Sequence, residues 1–203
     1  MAFACVISFM GIGLVDPILP AIAAQLNASP SQVSLLFTSY LLVTGFAMIL
    51  SGAISSRIGA KQTLISGLIL IIIFAALGGC SQSIAQLVGF RGGWGLGNAL
   101  FISTALAVIV SVATGGSAKA IILYEAALGL GISVGPLAGG ELGTISWRAP
   151  FFGVSILMTV AMFSILILLL SRSEAAKENF DLRTDTGAPV SRAFHAFCVR
   201  FFI

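Results

Sequence analysis

Three ionisable residues, Asp16, Arg91 and Glu125, sit well inside stretches that otherwise read as apolar helix. A charge at the middle of a bilayer costs at least about 2.5 kcal/mol even on the most lenient insertion scale, so each needs compensation. Asp16 stands eight residues before the end of the first apolar stretch near Ala24, and Arg91 seven residues after the start of the fourth near Ile84. At the rise of an α-helix both fall about 10–12 Å below the same membrane face and can meet at one depth. Two readings follow. One is a buried ion pair that fixes the first helix against the fourth. The other is a titratable carboxylate beside a cation, which takes a proton from one side and releases it to the other when its partner and its access to water change. That second reading is the minimum chemistry of proton-coupled transport. Glu125 lies roughly 9 Å from the opposite end of the fifth stretch, too far from Asp16 for direct pairing. It is either a second carboxylate of the same chemistry or an end group that snorkels to water.

Other chemistry finds little support in the residues. His195 has no second ligand nearby, so no metal site is expected. Cys5, Cys80 and Cys198 are scattered without CxxC spacing and read as small apolar fillers. Gly92, Gly93, Gly95 and Gly97 lack the strand and helix context of a phosphate loop and read as packing glycines. With no nucleophile beside a base, no metal cluster and no cofactor motif, an enzyme is not expected. The net charge of +3 is dispersed over loops and tail, which does not suit nucleic acid.

The elements that must position these charges are set by composition. Hydrophobic residues make up 58% of the 203-residue chain and charged residues 8%, with a mean hydropathy of +1.11, more apolar surface than a soluble globule of this size can hide. The lipid bilayer is therefore its solvent. Six stretches reach the length needed to cross it: about residues 2–24, 33–55, 62–80, 84–113, 118–142 and 149–171. The first lacks a basic start and contains Asp16, Pro17 and Pro20, so it is read as a helix and not as a cleaved leader. Arg57 and Lys61, Lys119, and the cations after the sixth stretch all fall on one side, whereas the opposite loops hold only Arg148, next to Trp147 as an interfacial anchor. Both termini are thus expected in the cytoplasm. After Leu170 the composition becomes charged and aperiodic, which divides the chain into a six-helix transmembrane domain, 1–171, and a loosely ordered cytoplasmic tail, 172–203.

The fifth stretch carries Gly129, Gly131, Gly135, Pro136, Gly139 and Gly140, a density that suits a helix made to be touched closely or bent inside lipid. Four motifs together resemble the amino-terminal half of a major facilitator superfamily transporter, closest to bacterial drug:proton antiporters. They are Asp16-Pro17-Ile18-Leu19-Pro20 on helix one, Gly52 to Lys61 with Arg57 and Gly59 between helices two and three, Arg91 with Gly92, Gly95 and Gly97 on helix four, and Gly131 to Gly140 on helix five. The match covers about residues 10–171.

The resemblance implies an all-α membrane fold of six helices in two inverted three-helix repeats, with helices one and four lining a cavity. It implies proton-coupled efflux of small lipophilic compounds from a bacterial plasma membrane, with proton coupling at Asp16, Arg91 and Glu125, where Asp16 binds the proton and Arg91 modulates its release, and no cofactor. Gly52, Arg57, Gly59, Lys61, Gly131, Gly135, Pro136, Gly139 and Gly140 would serve the conformational change. Where relatives carry an aspartate before the loop arginine, this chain has Ser56. Relatives have twelve helices, so six correspond to a half. Three arrangements follow: a parallel homodimer along helices two and five with the glycine-rich face at its seam, pairing with a separate carboxy-terminal half, or a module without transport of its own. Proton-coupled uptake is the remaining alternative within transport.

Overall fold

A computed structural model describes residues 2–112 and 117–184, with the side chains of residues 4–15, 17–110 and 118–167. All regular structure among the described residues is helical. The elements are α1 (Ala2–Gly13), a 3-10 turn (Asp16–Ile18), α2 (Leu19–Gln25), α3 (Pro30–Ile58), α4 (Ala60–Cys80), α5 (Ile84–Val112), α6 (Ser117–Ile145) and α7 (Ala149–Thr184). Five of them are long and apolar enough to cross a membrane: Pro30–Ile58, Ala60–Cys80, Ile84–Val110, Ala118–Ile145 and Ala149–Ile167.

The first apolar stretch, expected as one helix, is two helices joined by the 3-10 turn. Pro17 has no N–H to give to a carbonyl one turn back, and its ring disfavours helical backbone at the residue before it. The helix ends at Gly13, and a new one starts at Leu19 with Pro20 in its first turn, where a missing N–H costs nothing. At the next connection, α3 starts on a reciprocal cap. Ser29 Oγ accepts the Gln32 N–H at 3.4 Å, Gln32 Oε1 accepts the Ser29 N–H at 2.9 Å, and Pro30 follows.

Two compact units are distinguished, Met1–Met162 and Phe163–Ile203. The helix α7 runs on to Thr184. Glu174, Ala175, Ala176, Lys177 and Glu178 are strong helix formers, which allows the helix to outlast the apolar run. Residues 185–203, with His195 and Cys198, lie outside the described residues.

Within the first unit the most extensive pairings are α3 with α5, α4 with α5, and α1 with α6. If the chain is divided into triplets of crossings, helix one packs on helix five as helix four packs on helix two, the relation expected of an inverted repeat. The α4–α5 pairing depends on two glycines. A Cβ on Gly67 would stand 2.9 Å from the Gly97 carbonyl oxygen, and one on Gly97 would stand 2.9 Å from the Gly67 carbonyl oxygen. Backbone therefore touches backbone, which is how helices associate where lipid supplies no hydrophobic drive.

Candidate functional site

Arg91 is 1% exposed although it carries its charge on a membrane-spanning helix. The sequence around it explains how α5 admits so large a side chain. Gly95, one turn on, lets α3 come close: a Cβ there would stand 2.7 Å from the Tyr40 carbonyl oxygen. The close approach brings Tyr40 and Trp94 to the guanidinium, whose Cζ lies 5.0 Å from the Tyr40 ring centroid and 4.8 Å from that of Trp94. Two ring faces attract a cation through their quadrupoles, and more strongly where water is excluded.

The rings are themselves held. Asn98 Nδ2 donates to Tyr40 Oη, and Asn98 Oδ1 accepts from Ser8 Oγ, so one buried amide joins α1, α3 and α5. Trp94 meets Phe151 of α7 edge-on, centroids 6.1 Å apart and planes at 68°. It also meets α1 where no side chain intervenes: a Cβ on Gly11 would stand 2.7 Å from Trp94 Cζ2. Ser8, Tyr40, Arg91, Trp94 and Asn98 thus form one buried polar and aromatic cluster that reaches three crossings.

Of the residues expected to carry proton coupling, Arg91 is at the centre of this cluster. The backbone of Asp16 opens the 3-10 turn, and its side chain lies outside the described residues. Glu125 is exposed on α6, beside the buried Tyr124 whose ring packs edge-on against Phe9 of α1 at 5.5 Å. Ser8, Tyr40, Trp94 and Asn98 join the site only through packing. One signal was available: Asn98 follows Arg91 by two helical turns on the same face, and an amide inside lipid needs a partner.

The conformational motifs fall in two places. Between α3 and α4, Gly59 has φ +87° and ψ 148°, serves as C-cap to one helix and N-cap to the next, and its carbonyl accepts Thr63 Oγ1 at 2.9 Å. Gly52, Arg57 and Lys61 are exposed around it, and Ser56 Oγ donates to the Ala53 carbonyl at 2.9 Å. On α6 the glycine row expected at a dimer seam is taken by α1 instead. Cβ atoms on Gly131 and Gly135 would stand 2.6 and 2.7 Å from the carbonyl oxygens of Val6 and Met10, and one on Gly139 would collide with that of Leu14. The three glycines are spaced four residues apart and so share one helix face, which fits a single neighbouring backbone. Gly129 and Gly140 face open space. Pro136 sits inside the same helix without ending it, and a Cβ on Gly13 would stand 3.0 Å from its Cδ and 3.2 Å from the Ile132 carbonyl oxygen. That carbonyl is the one Pro136 deprives of its helical donor. Gly13 brings α1 close enough to cover it.

Comparison with known proteins adds to this geometry. A sequence model described as Major Facilitator Superfamily matches residues 1–203, further than the motifs alone reach. The chain is 81% identical over 177 residues to the multidrug efflux protein YfmO of Bacillus subtilis (strain 168), covering 87% of this chain and 45% of that protein. It is 32% identical over 166 residues to the tetracenomycin C resistance and export protein of Streptomyces glaucescens, covering 80% and 31% respectively. It is 28% identical over 174 residues to the multidrug transporter protein MdtP of Bacillus subtilis (strain 168), covering 83% and 31%. The chain therefore spans half or less of the length of these relatives.

Proposed function

The chain belongs to the Major Facilitator Superfamily, and on that premise we propose that it forms the amino-terminal half of a proton-coupled exporter of small lipophilic compounds in a bacterial plasma membrane. Both termini face the cytoplasm, since Arg57, Lys61 and Lys119 flank the connections on one side. Asp16 carries the proton, Arg91 tunes its release, and Glu125 is a secondary carboxylate on the cytoplasmic part of α6. The names of the relatives, multidrug efflux and export, support the direction of transport.

One observation carries the proton site. Ser8 meets Asn98 and Gly11 meets Trp94, so α1 and α5 run antiparallel. Extended past the end of α1 at Gly13, that register supports a position for Asp16 near the depth of Arg91. A carboxylate at the depth of a cation steadied by two rings is the arrangement a switchable proton carrier needs.

The apolar faces of α3 and α6 remain open, with Leu42, Phe46 and Ile49 on one and Ile122 and Leu137 on the other at 63% to 79% exposure. A second six-helix half covers them, and the substrate binds between the two halves; a second copy of this chain in a parallel homodimer is one source of that half and a carboxy-terminal half is another. The Gly131–Gly135–Gly139 row is not part of that seam.

The test is transport in liposomes under an imposed proton gradient, with Asp16→Asn beside the parent chain. The variant is expected to remain folded and to lose gradient-driven efflux. Equal efflux by both removes Asp16 as the proton site. Crosslinking at native expression separates the homodimer from the two-gene arrangement.

A further inference from the structure

At the membrane face where α2 ends and α6 turns into α7, a cavity of about 350 Å³ opens, and its polar lining is Gln25, Thr144, Ser146, Trp147 and Arg148. No acidic residue lines it, so its one cation sets its sign. The hydrogen-bonding capacity of the lining is tilted toward donors. Ser146 Oγ accepts the Arg148 N–H at 3.2 Å, which leaves its hydroxyl proton to give, and Gln25 adds an amide. Arg148 is also preorganised. Its Cζ lies 4.9 Å from the Trp147 ring centroid, and buried Trp147 is itself held edge-on by Phe151 at 6.3 Å and 84°. A guanidinium held over a ring face is restricted in its rotamers, and its N–H groups suit a planar or tetrahedral oxyanion.

The depth is equally specific. The apolar spans Ala118–Ile145 and Ala149–Ile167 end and begin at this turn, which puts the cavity at headgroup level, where tryptophan is enriched. We propose that this cavity binds a phosphate oxyanion, supplied by the headgroup of an anionic phospholipid, with Arg148 as its principal contact and Gln25 and Ser146 as supporting donors. The site is separate from the Arg91 cluster and does not rest on the proton-coupling reading.

The test uses the full chain released from nanodiscs of phosphatidylcholine containing a minority of phosphatidylglycerol, with retained lipid counted by native mass spectrometry. The parent chain is expected to retain phosphatidylglycerol about tenfold more than Arg148→Gln, the loss of one charge-assisted contact, while Arg57→Gln at the opposite face retains it as the parent does. A second arm follows thermal unfolding in zwitterionic detergent as inorganic phosphate is added. A phosphate-dependent rise that Arg148→Gln abolishes, with lipid retention independent of Arg148, upholds the oxyanion site and moves its source to the free ion. Lipid retention and phosphate response both unchanged in Arg148→Gln overturn the proposal.

Discussion

Asn98 Nδ2 donates to the hydroxyl of Tyr40, 58 residues away in the chain, while its Oδ1 accepts from Ser8, 90 residues away. One amide therefore fixes the tyrosine ring against which Arg91 rests, and does so from the helix that also carries Arg91. Burial makes the arrangement all or nothing: a fully satisfied network gives α5 a single seat between α1 and α3, whereas a half-satisfied one strands polar groups in lipid.

Asn98→Ala removes both partners at once and leaves the Tyr40 and Ser8 hydroxyls facing each other across a gap. The expected cost is about 1–3 kcal/mol, the sum of two interhelical hydrogen bonds, read as a lower midpoint of thermal unfolding in detergent. Tyr40→Phe, which leaves only one amide proton without an acceptor, should cost less. Equal midpoints for Asn98→Ala and the parent chain would show that the network holds nothing together.

Arg91→Lys preserves the charge and tests the stacking. A lysine ammonium has no flat face to lie against Tyr40 and Trp94, so about 1–2 kcal/mol of cation–π attraction should be lost. Trp94 is one of two tryptophans, so a Trp147→Phe background isolates its fluorescence. The emission of Trp94 should shift in Arg91→Lys. An unchanged spectrum would place the guanidinium elsewhere.

Gly59 is the one glycine among the described residues with positive φ. Its pairing of φ +87° with ψ 148° is a region that essentially only glycine enters, so even asparagine, which tolerates left-handed turns, does not fit. Gly59→Ala is expected to cost about 1–3 kcal/mol and to disturb the α3–α4 connection. Gly52→Ala, where a Cβ meets nothing within 4 Å, should leave thermal stability unchanged or raised. Comparable losses from the two substitutions would contradict this account of the loop.

How much of this was legible in the sequence depends on whether the signal was local. Five of the six apolar stretches were legible as spanning helices because hydrophobic length is a property of a segment alone, and the Arg57–Lys61 connection because its cations cluster. The break at Asp16–Ile18 was signalled by two prolines, yet hydropathy averages across it and reads one span. The Ser8–Tyr40–Asn98 cluster was not legible, since Ser8 and Tyr40 look like ordinary helix residues until packing brings them to the amide. The glycines of α6 mark a close contact without naming the partner. A dimer seam and a neighbouring helix both suit them, and the four-residue spacing of Gly131, Gly135 and Gly139 serves the backbone of α1 within the same chain.

Gly139 and Gly140 give the sharpest contrast, because they are adjacent in sequence and opposite in surroundings. A methyl group on Gly139 meets the carbonyl oxygen and Cα of Leu14, which are backbone atoms and cannot step aside without moving α1. Gly139→Ala should therefore separate α1 from α6 at a cost of about 1–3 kcal/mol, the usual range for overpacking. Gly140→Ala places its methyl in open space and removes a flexible residue from a helix, so it should be neutral or gain up to about 1 kcal/mol. Thermal unfolding of the two variants in the same detergent decides the matter. If Gly140→Ala proves the more damaging, the face of α6 that carries Gly140 is an interface with another chain, and the Gly139 row is not what joins α6 to α1.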